Sequence, residues 1–231
     1  MLTLRKSQDR GYADHGWLKS FHSFSFAGYH DPAHMGWGNL RVINEDRIAP
    51  EMGFGTHGHQ DMEIISYVLS GNLAHKDSMG NVKGIPPGDV QRMSAGSGVM
   101  HSEFNHAANQ VTHFLQIWIE PSVQGLTPSY EQRAFALGPH WTALIDPAAA
   151  RGAMAIQRPV RIWRAKPNAH QALSLGLEPQ AQGWLQLIGG SVQVEAGPLL
   201  GQGDGMGFSA GSISTITAGA TGADVLLFEL Q

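Results

Sequence analysis

Gly55-Thr56-His57-Gly58-His59-Gln60-Asp61-Met62-Glu63, read together with His101-Ser102-Glu103 further along, decides how the rest of this chain is understood. In an extended strand the side chains at i and i+2 leave the same face, so His57 with His59, and His101 with Glu103, each present two ligating groups to one side. Two such strands facing each other make a metal cage. Imidazole nitrogens and a carboxylate oxygen suit Fe, Ni, Cu, Mn or Zn, and three neutral histidines with one glutamate leave a divalent ion net positive, with open positions for a substrate. A single His-x-His is weak evidence, because most histidine pairs are surface or core residues. The second pair at the same spacing, also in a β-type context, turns the pattern into a site.

The composition agrees. At 231 residues, 42% hydrophobic and 15% charged, the chain is long enough for one large all-β domain or two small ones, each with a real core. A net charge of −4 gives no basic footprint for nucleic acid, so direct binding to it is not expected. Cysteine is absent, which excludes disulfides, thiolate metal sites and cysteine nucleophiles and leaves only N and O ligands for a metal. The first ten residues carry charges where a signal peptide needs its apolar run, and no 18-residue apolar stretch occurs, so a cytoplasmic protein without a membrane span is expected. The 29 glycines and 12 prolines point to many tight turns between short strands.

Working outward, Leu40–Asn44 reads as a strand closed by a turn at Asn44-Glu45-Asp46. The run 64–69 reads as a strand turning at Ser70-Gly71-Asn72 into a returning strand, Leu73–Asp77. Thr112–Glu120 is the clearest strand of the first half, with His113 on the parity of Leu115 and Ile117, in a core or supporting place rather than a ligating one. His15, His22, His30 and His34 lack paired spacing and read as surface or core histidines. The connection from Pro121 to about Pro139 holds one helical turn around Tyr130-Glu131-Gln132-Arg133, and the domain division is set within it: 1–132 as a metal-binding N-terminal domain, 133–231 as a C-terminal one. Short strands resume beyond it, with a turn at Gly189-Gly190.

An internal repeat is visible. Gly88-Asp89 followed by Ser94-Ala95-Gly96-Ser97 matches Gly203-Asp204 followed by Ser209-Ala210-Gly211-Ser212. Carried forward from the shared serine, the register sets Ile216 against His101 and Ala218 against Glu103, so the second copy is expected to lack the metal ligands.

Phe54-Gly55-Thr56-His57, Asp61-Met62-Glu63, Asp77-Ser78-Met79-Gly80-Asn81, Met93-Ser94-Ala95-Gly96, His101-Ser102-Glu103 and Tyr130-Glu131-Gln132-Arg133 resemble the signature of the bicupin family called pirins. Gly58 departs from it, where that family usually has proline. The resemblance implies an all-β bicupin of two antiparallel β-barrel (jelly-roll) domains with few short helices. It implies one divalent transition metal, iron first, with Ni, Cu, Mn or Zn also accepted, held by His57, His59, His101 and Glu103. The broader cupin pattern would use Glu63 instead; the pirin resemblance makes Glu63 a residue that orients a ligand histidine. The activity implied is dioxygenase cleavage of a flavonol such as quercetin with O2, Glu103 serving also as the base for the flavonol proton. The alternative is a metal- or redox-dependent regulatory protein acting through protein partners.

Overall fold

The computed structural model describes Leu2–Gln231, and its order is built from strands: among the described residues the helical pieces are two single 3-10 turns, Ser7–Asp9 and Ala150–Gly152. Among the same residues no helix is long and apolar enough to cross a membrane. The chain divides into two compact units, Gly11–Phe135 and the stretch ending at Arg10 together with Ala136–Gln231. Each is a cupin-type jelly roll of antiparallel strands, with sheets that do not close into a continuous ring.

In the first unit a seven-stranded sheet runs in the order Ser129–Ala134, Asp89–Ser94, Glu63–Ser70, Thr112–Ile119, Leu40–Ile48, Leu18–His22, Gly11–Asp14. A four-stranded sheet, Gly53–His59, Val99–Phe104, Leu73–Asp77 and Val82–Ile85, faces it. Period-2 alternation sets which side chains turn inward: Val99, His101 and Glu103 are buried while Met100 is exposed. Two apolar clusters hold the sheets together, Leu18, Ile48, Val68, Leu73, Ile85 and Phe114 in one, Ile64, Met93, Ala95 and Val99 in the other. Between them a polar row crosses five neighbouring strands in register: His22, Asn44, Gln116, Ser66 and Gln91. A buried row of this kind is out of place in a core unless it serves a site.

Three local expectations are corrected. Asn44-Glu45-Asp46 is not a turn; the strand runs on to Ile48 because it is paired on both edges, and Glu45 is held by Arg47 and His113 at 2.8 and 2.9 Å. Tyr130–Arg133 is not helical but part of the edge strand Ser129–Ala134, since an open sheet edge offers backbone partners that a single isolated helical turn does not. Gly71 does not make a hairpin. The strands before and after it belong to different sheets, so it is a corner, where φ is 82° and a Cβ would meet the Thr112 Cα at 2.7 Å.

The second unit repeats this plan in one eight-stranded sheet, whose two long strands, Gln182–Val194 and Thr215–Leu230, continue through the bend at Gly189-Gly190 rather than turning back there. Its edge strand Leu2–Arg5 comes from the start of the chain. The repeat seen in sequence is real in the backbone. Gly88 and Gly203 both have positive φ, 92° and 81°, and donate to Val68 and Leu187; Asp89 and Asp204 donate to the residues three back, Pro86 and Gly201. The strand register then equates the two interiors. His101 pairs with His57 and Asp77, and Ile216 pairs with Leu173 and Val194; Glu103 pairs with His75, and Ala218 with Val192. At these paired positions hydrocarbon in the second unit thus stands where the first carries imidazole or carboxylate.

Candidate metal centre

His57 and His101 are directly opposed across the antiparallel pair Gly53–His59 and Val99–Phe104, which sets their side chains on one face at close range. The Nδ1–H of His57 donates to the Gly55 carbonyl at 2.8 Å, so its Nε2 points inward, 3.0 Å from Nε2 of His101. The His59 ring centroid lies 4.8 Å from both of the others. One ligating nitrogen from each of the three falls within 4.8 Å of the other two. The donor set fits a divalent transition ion. Among the described residues Nε2 of His59 is buried without a hydrogen-bond partner, and the 3.0 Å separation matches the edge of an octahedron with metal–nitrogen bonds of about 2.1 Å. Burial, reinforced by the neighbouring histidines, pushes His59 down to about 4 and His101 down to about 3. Both are therefore neutral at pH 7, the form that ligates.

Glu103 is brought close, but differently. Toward Gly53–His59 the register slips after His101, so Glu103 lies opposite Phe54; toward Leu73–Asp77 the ladder is regular. Such a bulge re-aims a side chain. Glu103 falls in a second group of mutually close ligand atoms, with His75 and His101, so that His101 is common to both groups and the four expected ligands do not form one group by themselves. Ser66 Oγ lies 2.9 Å from Glu103 Oε1, and Gln116 Nε2 donates to Oε2 at 3.2 Å. Ser66 has one hydroxyl proton and a second acceptor, Gln116 Oε1 at 2.8 Å, so which it serves depends on whether Glu103 is ionised. Burial pushes the Glu103 carboxyl up to about 7; the Ser66 hydrogen bond opposes this and the nearby Asp46 adds to it.

His75 was not among the expected site residues. Its Nε2 lies 2.9 Å from the Asp77 carboxylate and its Nδ1 3.2 Å from Gln91 Nε2, under the ring of His101 at 5.3 Å. The signal that could have found it is His75-x-Asp77, the same i, i+2 pattern as the other two pairs. Glu63 lies outside both groups, its carboxylate accepting from Ser94 Oγ at 2.7 Å rather than orienting a histidine. His113 pairs with Glu45.

Beside the histidines opens a cavity of about 540 Å³. His57, His59 and Glu103 line it together with aromatic walls, among them Tyr12, Phe26 and Trp118. His22, read from sequence as a surface or core residue, is buried and lines it too.

The Glu103 shift has a testable sign. In metal-free protein the folded state keeps this proton up to about pH 7, whereas the unfolded chain releases it near pH 4. Between those values the folded state binds more protons, so this group's contribution to stability falls as pH rises through the window. Glu103→Gln, neutral throughout, is expected to raise the Tm of chelated protein by several degrees at pH 8 and barely at pH 4.5. Equal changes at both pH values would refute the raised carboxyl.

The pirin family model matches residues 3–119, and the model of the quercetinase C-terminal cupin domain matches residues 144–230. The chain is 40% identical to the quercetin 2,3-dioxygenase of Escherichia coli (strain K12), over 100% of this chain and 99% of that protein. It is 42% identical to a pirin-like protein of Caulobacter vibrioides, over 93% of this chain and 94% of the other. Among solved structures, the bacterial pirin YhhW from Escherichia coli in complex with nickel(II) superposes with a TM-score of 0.95 at 40% identity, covering 100% of this chain and 99% of that one.

Proposed function

The chain belongs to the pirin family, and on that premise we propose that it is a metal-dependent dioxygenase that cleaves the flavonol ring of quercetin with O2. The observation that carries the reading is the three-histidine cluster opening, with Glu103, onto an aromatic-walled cavity of about 540 Å³, within the usual range for a small-molecule site. In this reading His57, His59 and His101 hold one divalent transition ion, and Glu103, which is close to His101 but falls in the group with His75, completes the set as the fourth ligand. Iron is the ion proposed first; the nickel complex of YhhW supports nickel as an alternative. When bound, the ion supplies Lewis acidity that draws charge from a flavonol oxygen.

The chain's own side chains do the rest. Glu103, on the cavity wall beside the histidines, accepts the flavonol hydroxyl proton. Ser66 and Gln116 fix its carboxylate through both oxygens. As Glu103 gains the proton, its O–H donates to Ser66 Oγ and the Ser66 hydroxyl turns to Gln116 Oε1, so protonation completes this buried chain of hydrogen bonds. The aromatic walls exclude water and hold the planar substrate, with Phe26 and Trp118 edge to face at 5.3 Å.

An oxygen electrode tests this. Protein loaded with iron or nickel is expected to consume O2 on addition of quercetin, and chelated protein is not. Uptake no greater than that of a Glu103→Ala control would reject the enzyme reading.

A further inference from the structure

Not every polar residue of the row crossing the seven-stranded sheet is used by the metal end. Gln116 and Ser66 serve Glu103, and Gln91 serves His75. Asn44, the cross-strand partner of Gln116 on one side and of His22 on the other, serves neither. It is 2% exposed, it lines the cavity, and among the described residues its Oδ1 has no hydrogen-bond partner. A buried amide oxygen left unpaired costs free energy that only a ligand or water can return.

Next to it lies a compact polar group. Ser20 Oγ donates to the Asp46 carboxylate, and His22 Nε2 lies 2.8 Å from Ser20 Oγ; all three side chains are buried and line the same cavity. On the same wall stands Trp118, whose Nε1–H is buried and likewise unpartnered among the described residues. Strands are spaced at roughly 4.8 Å, so Asn44 stands one strand, and His22 two strands or roughly 10 Å, from the Gln116 that holds Glu103. A flavonol's pendant ring is joined to the carbon beside the one that bears the reacting hydroxyl, so its own hydroxyls lie about one strand spacing from that oxygen, the offset of Asn44 from Gln116.

We propose that Asn44, backed by Ser20, His22 and Asp46, is the recognition point for hydroxyl groups on the pendant ring, and so sets a preference for hydroxylated over unsubstituted flavonols. The inference rests on the flavonol reading of the cavity. In it, Asn44 Oδ1 accepts a phenolic O–H, and a ligand lacking that hydroxyl leaves the amide unpaired. A site built to pair a hydroxyl discriminates against the analogue without it, whereas a purely apolar pocket hardly does.

The test is an anaerobic titration of nickel-loaded protein, followed by tryptophan fluorescence, with quercetin and with a flavonol whose pendant ring carries no hydroxyl. The wild type is expected to bind quercetin about tenfold more tightly, and the ratio to collapse toward one in Asn44→Leu, which keeps the volume and removes the acceptor. His22→Phe, which disturbs the neighbouring group, is expected to lower the ratio in part. A wild-type ratio of one, binding of neither flavonol, or an unchanged ratio in both variants would overturn the inference. Aerobic turnover separates it from the reading beneath it: if neither flavonol is consumed while the binding ratio behaves as expected, the dioxygenase reading falls and this recognition point stands.

Discussion

Replacing His101 with alanine is expected to leave the protein without stoichiometric metal and to lower quercetin-dependent O2 uptake by about a thousandfold or more. Two features of the site set that size. His101 belongs to both groups of mutually close ligand atoms, so no other single removal thins the donor set as far. It is also 1% exposed, so water has little room to replace the imidazole. A metal that stabilises the transition state by several kcal/mol corresponds to three or more decades of rate. Because a truncated core residue can unfold a protein, His101→Ile is the companion variant: Ile216 occupies the equivalent place in the second unit, so the fold accepts that shape. His106→Ala, at an exposed position, serves as the control. Elemental analysis beside the oxygen electrode reads the result, and a folded His101 variant that keeps one metal per chain would refute the assignment.

The second large effect is at Glu103. Glu103→Gln keeps the size and the contacts of the carboxyl but cannot take a proton, and is expected to lower kcat/KM for quercetin by about a hundredfold to ten-thousandfold, the span of a lost general base. At saturating metal the variant should still hold an ion on its three histidines, which separates this loss from that at His101. Near wild-type turnover by metal-saturated Glu103→Gln would remove Glu103 from proton transfer and leave it a role in binding alone. Ser66→Ala is expected to fall between, since it leaves the acceptor in place but loosens its hold.

Much of this was legible in the sequence, for a physical reason. Strand periodicity is local, so the paired i, i+2 ligands, the limits of Val99–Phe104 and the lost ligands of the second copy could all be read along the chain. What depends on which strands become neighbours could not. Asn44, Gln116, Ser66 and Gln91 are far apart in sequence and form a row only after four strands pair in register. The same limit explains the errors. Tyr130–Arg133 takes its form from the edge it covers, and Asn44-Glu45-Asp46 looks like a turn because polar residues usually lie outside a strand core. His22 looked ordinary for want of a second histidine at ligand spacing, and its polar surroundings, Ser20 on its own strand and Asp46 on the next, come together only when those two strands pair in register.

The chain carries its own control. Leu173, Leu175, Val192, Val194, Ile216 and Ala218 furnish a second copy of the same architecture with side chains that cannot grip a cation, and that copy buries all six in its apolar interior. The jelly roll here is therefore a housing whose assembly does not wait for its ion. Chelation should empty a finished room, not bring the walls down.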